Sequence, residues 1–245
     1  MSHVTSVGVC PPFGVVSLGD YLPDPATGRY VDEAEKFRSL VEMGVACEEL
    51  GFASYHLGEH HFTDYAMSAP APMLSAIAVQ TSRIILSTAV TLIPHHDPIF
   101  IAEDFGVVDV LSHGRMEILV GRGVYKDHYR LFGQSVDDSE RLVVEGVELL
   151  RRLWTERDVH WSGTMRPPLT GVTMHPRLVQ SRAPIVLSAS SMTSVERAVQ
   201  LGCPIAIATV STGKFLPNEL AAAYRQKWAE AGRDPQDAKV ILHLH

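Results

Sequence analysis

The chain has 245 residues, 46 % of them hydrophobic and 20 % charged, with a formal net charge of −7 at pH 7. That composition is ordinary for a globular protein, and one α/β barrel routinely fills such a length as a single domain. The acidic balance without a basic run argues against sequence-independent nucleic-acid binding, and no apolar stretch approaches the ~20 residues that span a bilayer.

In chain order, short apolar and β-branched runs predict strands over 13–18, 52–57, 84–92, 116–120, 184–189, 204–208 and 239–243. Segments of helical period between them predict helices over 31–50, 70–80, 98–111, 139–154, 193–201 and 217–231. In the first helix Ala34, Phe37, Leu40, Val41, Val45 and Leu50 fall on or near one face, and Gly51 follows as a C-terminal stop. Pro98 and Pro217 suit first-turn positions, where a missing N–H costs nothing. Residues 155–183 break the period with Gly163, Pro167, Pro168, Gly171 and Pro176. They read as a long irregular connection over the mouth of a strand–helix barrel, either a lid or a passive insertion.

Strand–helix alternation with continuously apolar strands indicates a parallel sheet covered on both faces. Six or seven such units over 1–245 point to a single TIM-type (β/α)8 barrel domain rather than an open sheet. A full barrel needs eight units, and the chain stops within or just after the seventh strand. The barrel therefore reads as truncated: a fragment of a longer chain, a naturally incomplete barrel, or one whose open edge a partner covers. The opening Met1-Ser-His-Val-Thr5 lacks a basic stretch followed by an apolar one, so a cytoplasmic protein without a secretion signal is expected. Cys10, Cys47 and Cys203 lie far apart, suit a reducing compartment and read as small core residues.

The chemically richest stretch is Gly58-Glu-His-His-Phe62, directly after the second predicted strand. An acid beside two imidazoles makes a proton-handling group whose charge burial or a neighbour can set near neutral pH. His60, the Pro94-His-His-Asp97 turn, Arg122 and Ser191 all follow predicted strands, and the C-terminal strand ends are where barrels build active sites. Metal binding draws less support, because adjacent histidines on an extended chain point to opposite sides.

Gly58-Glu-His-His-Phe62, Pro94-His-His-Asp-Pro-Ile-Phe-Ile-Ala-Glu-Asp104, Asp109-Val-Leu-Ser-His-Gly-Arg-Met116, Gly121-Arg-Gly123 and Ser188-Ala-Ser-Ser-Met-Thr-Ser-Val-Glu-Arg197 follow one another in this order. Together they resemble the bacterial-luciferase-like flavin monooxygenase family over nearly the whole chain. The resemblance implies a barrel that binds reduced FMN at its C-terminal mouth. It implies oxidation of a small organic substrate with O2 through a flavin C4a-peroxide, in a homodimer joined through early helices. His60 matches the family's catalytic histidine, and Arg122 its phosphate-contacting arginine. Ser191 and Ser194 match a serine-rich turn that opens a helix, where phosphate contact and ordinary N-capping are compatible. Ala89 and Val90 match the strand end behind the flavin ring, where the family carries a non-proline cis peptide. Glu59 and His61 are expected to orient their turn. One departure matters: luciferase has a reactive cysteine where this chain has Gly121, so light emission does not carry over.

No Gly-x-Gly-x-x-Gly fingerprint is present, so reduced flavin is expected from a separate flavin reductase. Three alternatives remain open at this stage. The deazaflavin F420 could serve hydride transfer on the same scaffold; the protein could bind flavin, or partner an enzyme, without catalysis; or the histidines could hold a metal in a hydrolase.

Overall fold

The computed structural model describes residues 12–209 and 213–244. Cys10 and the first five residues lie outside them; Cys47 and Cys203 are free and buried, as core residues.

Strands β1 (Gly14–Ser17), β2 (Ser54–Leu57) and β3 (Ile85–Thr88) pair in parallel, in that order. A second parallel set runs β4 (Thr91–Leu92), β5 (Ile118–Gly121), β8 (Ile185–Ser188), β9 (Ile205–Ala208) and β10 (Val240–His243). A parallel bridge from Leu86 to Met116 joins the two sets. The sheet curls on itself: the rings of His56 on β2 and His243 on β10 lie 5.3 Å apart. This is the expected TIM-type barrel, with seven parallel strand positions when β3 and β4 are taken as one. Among the described residues no pairing joins β10 back to β1.

Helices α1 (Glu33–Glu49), α2 (Pro70–Ala78), α3 (Pro98–Ser112), α5 (Ser139–Thr155), α6 (Met192–Leu201) and α7 (Pro217–Glu230) surround the strands. Their ends follow capping chemistry more closely than apolar period. Helix α1 starts two residues later than the spacing predicts, because the Asp32 carboxylate accepts the Glu35 N–H at 3.2 Å and so marks the cap. Ser191 does the same for α6 in a capping box with Ser194. The main core, including Leu40, Tyr55, Leu74, Ile101, Phe105, Val147 and Leu150, lies between strands and helices. A smaller cluster of Leu119, Val186 and Ala206 fills the barrel interior.

The strand expected over 84–92 is split. The Ala89–Val90 peptide is cis. At the break a side chain takes over the ladder: the Thr88 hydroxyl donates to the Leu119 carbonyl at 2.9 Å and accepts the Leu119 N–H at 3.1 Å. Thr88 is fully buried, so without that hydroxyl both Leu119 groups would stand unpaired at about 1–3 kcal/mol each.

Residues 155–183 do not cover the mouth. They contain an antiparallel hairpin, β6 (Val159–Trp161) with β7 (Leu169–Val172), packed outside α5. Polar side chains on the outer helices capture this segment. The Glu145 carboxylate of α5 accepts the backbone N–H groups of Thr164 and Met165, and Arg166 pairs with Asp97. Farther on, Arg177 donates to the last carbonyls of α5, Leu153 and Trp154, while Asp109 of α3 accepts from Val179 and Gln180. Gln180 also reaches the Met116 carbonyl just before β5. The connection thus descends the flank of the barrel to its N-terminal end. The Asp109–Met116 stretch is structural here, and Arg115 binds the carbonyls of Ala78, Thr81 and Ile84 there.

Candidate active site

Two adjoining cavities open at the C-terminal ends of the strands. The first is walled by Val16, Leu18, Leu92, Leu119 and Ala206, with His60, His95, Tyr125 and His128 facing in. The second is polar, with Arg122, Lys126, Glu140, Ser191, Ser194 and Arg197 on its walls. Val90, Gly123, Val124 and Ser188 line both, so the two lie side by side across shared walls, one apolar and the other cationic. No residue of 155–183 lines either.

His60 follows β2 on a turn held by its own N–H, which donates to the Met67 carbonyl at 2.7 Å. Its ring stacks on Tyr65 with centroids 4.1 Å apart, which fixes the imidazole plane against the cavity. Burial pushes its pKa down, against the opposing charges of Glu59 and Asp20, which favours the neutral ring, the form with a nitrogen able to accept a proton. His95 stacks on Phe132 at 4.8 Å and lines the same cavity. Burial lowers its pKa to about 4. Both its ring nitrogens are buried without a hydrogen-bond partner among the described residues. A buried polar group left unpaired in a cavity wall is available to a ligand.

Beneath His60 lies a clamp. Glu59, 3 % exposed, accepts from His61 at 2.9 Å, from His96 at 2.6 Å and from the Leu92 N–H at 3.1 Å. It thereby ties the turn after β2 to the loop after β4. Burial opposes the Glu59 charge, but the hydrogen bonds from His61 and His96 more than offset it and hold the carboxyl down at about 2. Burial likewise opposes charge on His96, and the Glu59 carboxylate overcomes it and raises the pKa. The signs define a pH window. The Glu59 contribution is complete above its unfolded value of 4.5 and fades as pH falls towards 2. The His96 contribution is complete below 6.5 and is lost as pH rises through the elevated folded value. Thermal midpoints measured across pH should therefore decline on the alkaline side of 6.5, and His96→Gln should flatten that limb. Superimposable profiles for the two proteins would refute the ion pair.

At the cationic end, Arg122 follows β5 between Gly121 and Gly123. Gly123 has φ +78°, and a Cβ at Gly121 would stand 2.8 Å from Val90 Cγ2. Only glycine leaves room for Val90 at that close approach. The Arg122 guanidinium meets Glu140 at 3.2 Å, and Arg197 pairs with the same carboxylate. Ser191 and Ser194 close the wall at the N-terminus of α6, an end that favours an anion; their capping box already takes up the N–H groups of Ser190, Ser191 and Ser194 and the Ser194 hydroxyl proton.

The fold thus gathers His60, Ala89 and Val90 at the apolar end, and Arg122, Ser191 and Ser194 at the other. Sequence reading brought the Pro94–Asp97 turn, with His95, to this end, but did not single out Arg197 or the Glu59–His96 contact as site features. Arg197 lies one turn beyond Ser194, the spacing that puts both on one helix face. The ligand atoms of Glu59, His61 and His96 lie within 4.8 Å of one another, but the hydrogen bonds above account for them as they stand. His60 and His61 diverge, one to Tyr65 and one to Glu59. No helix among the described residues is long and apolar enough to cross a membrane.

A profile of the luciferase-like monooxygenase family matches residues 12–245. This chain belongs to that family. The alkanal monooxygenase alpha chain of the Kryptophanaron alfredi symbiont is 27% identical over 206 residues, covering 83% of this chain and 57% of that one. The chain spans less than two thirds of the length of the curated relatives it matches. Among solved structures, monooxygenase RslO1 from Streptomyces bottropensis superposes with a TM-score of 0.82 at 29% identity, covering 95% of this chain and 70% of RslO1. Two more distant structures share the luciferase-like fold. One is the oxygenating constituent of 3,6-diketocamphane monooxygenase of Pseudomonas putida in complex with FMN (TM-score 0.78, 16% identity, covering 94% and 66% of the two chains). The other is an F420-dependent secondary alcohol dehydrogenase bound to an F420-acetone adduct (TM-score 0.75, 19% identity, covering 94% and 68%).

Proposed function

We propose that this protein is a flavin-dependent monooxygenase that takes reduced FMN and O2 and oxidises a small organic substrate. The observation that carries the reading is the pair of adjoining cavities of opposite chemistry, one apolar and lined by imidazoles, the other cationic. FMN has the same polarity: a flat tricyclic ring at one end and a terminal phosphate at the other. The donor set fits it. Arg122 and Arg197 offer planar forks to phosphate oxygens, and the Ser191 hydroxyl and the positive N-terminal end of α6 add to them. Ala89 and Val90 would back the ring, and the unpaired nitrogens of His95 stand ready for a polar ring edge.

When bound, reduced FMN supplies the electron pair that activates dioxygen. The chain's own residues do the rest. Val16, Leu18, Leu92 and Leu119 exclude water from the reacting end. His60, held flat by Tyr65 and biased by burial towards its neutral form, moves a proton at a ring nitrogen. Glu59 and His96 keep that turn seated. Reduced flavin comes from a separate reductase, and two copies associate through α1–α3, where Met43, Val79, Phe100, Val107 and Val110 are exposed.

F420 is the second reading, supported by the fold it shares with this family. Its phosphate is an internal diester, whereas the cationic end here suits a terminal dianion. Anaerobic titration with reduced FMN and with reduced F420 separates them. FMN is expected to bind and, once oxygenated buffer is added, to reoxidise at a rate different from free flavin. Tighter binding of F420, or reoxidation at the free-flavin rate, would end the monooxygenase proposal.

A further inference from the structure

The cationic cavity contains an anion of its own. Glu140, in the first turn of α5, places one carboxylate between two guanidiniums. Its Oε1 lies 3.2 Å from Arg122, and its Oε2 pairs with Arg197. The two cations are unlike. The Arg122 side chain is 55% exposed, whereas that of Arg197 is 9% exposed. A guanidinium that deep is costly unless paired, and Glu140 supplies the pairing from a side chain 45% exposed. Such a carboxylate loses little by turning out to water, because its hydration is already half in place.

We propose that Glu140 is a built-in stand-in for the cofactor's phosphate, holding Arg122 and Arg197 until a terminal phosphate displaces it. A carboxylate and a phosphate offer guanidinium the same planar two-oxygen edge, so one can exchange for the other without leaving Arg197 unpaired. Counting Arg122, Lys126 and Arg197 against Glu140, the pocket carries two net positive charges with the carboxylate in place and three without it. The incoming monoester brings between one and a half and two negative charges at neutral pH, by the usual second pKa of about 6. Glu140 therefore lowers affinity for the phosphate and leaves affinity for the ring untouched. A cofactor delivered and released as a diffusible molecule needs such reversible loading. This inference rests on the proposed reading only in taking the phosphate to be that of a flavin.

The test compares the native chain with Glu140→Gln and Glu140→Ala, titrated with FMN, riboflavin and inorganic phosphate. Both substitutions should tighten FMN and inorganic phosphate by about tenfold and leave riboflavin unchanged, with the gain shrinking as salt screens the site. Unchanged or weaker phosphate and FMN binding in both variants would overturn the proposal, showing that Glu140 orients the arginines. An equal gain for riboflavin would also overturn it. Tighter inorganic phosphate with no flavin bound by any of the three proteins would uphold the stand-in role while ending the flavin reading.

Discussion

His60→Ala should bind reduced FMN as the native chain does, yet form oxidised substrate about 10²–10⁴-fold more slowly, the usual range for losing a general acid–base group. The electrons then leave as hydrogen peroxide. The native imidazole is held by stacking on Tyr65 at 4.1 Å and by its N–H on Met67. Alanine keeps the backbone contact and removes only the ring, so the turn should stay folded. His60 is half-buried, and burial depresses its pKa, favouring the uncharged imidazole whose proton-accepting nitrogen the variant lacks. The measurement is product against peroxide with a panel of aldehydes, alkanes, sulfonates and amines, after loading with reduced FMN without oxygen. Native product yield in the variant would exclude His60 from the chemistry. A parallel loss of FMN affinity would reassign it to binding.

Arg122→Ala should weaken FMN by roughly 10- to 100-fold, while riboflavin binding stays within about twofold. A charge-assisted hydrogen bond is worth about 1.5–3 kcal/mol, and the half-exposure of Arg122 puts the effect towards the low end. Neighbouring Tyr129 donates its hydroxyl to the Arg122 carbonyl, a main-chain contact that alanine retains. The contrast between FMN and riboflavin isolates the phosphate, because the two ligands share the ring and the ribityl chain. Equal losses for both would place Arg122 against the ring or in the fold rather than on the phosphate.

Much of the barrel was legible because its strands are apolar on both faces and its helices keep a 3.6-residue period. Every long helix lies where spacing placed it, with ends moved by one or two residues towards the capping side chain, as Asp32 and Ser191 show. The short helix α4 (Lys126–Leu131) was missed, since six residues carry too little period to register. The hairpin β6–β7 was missed because Gly163, Pro167 and Pro168 mask the pattern around it. Its route down the flank depends on Glu145 and Asp109, side chains distant in sequence.

The residues at the two cavities divide along the same line. His60, Arg122 and Ser191 could be singled out because each follows a strand, and parallel strands deliver their C-terminal ends to one rim. What sequence alone determined was therefore local: which segments pair or coil, and which reactive side chains are carried to the same end. Tertiary structure decided the pairings across that end: one Glu59 oxygen shared by His61 and His96, one Glu140 carboxylate shared by Arg122 and Arg197, and the Thr88 hydroxyl filling the ladder to Leu119. The physical reason is range. Periodicity and capping act within a turn or a strand, whereas these contacts join groups up to 57 positions apart, as in Glu140 and Arg197, which only the curling of the sheet brings within reach.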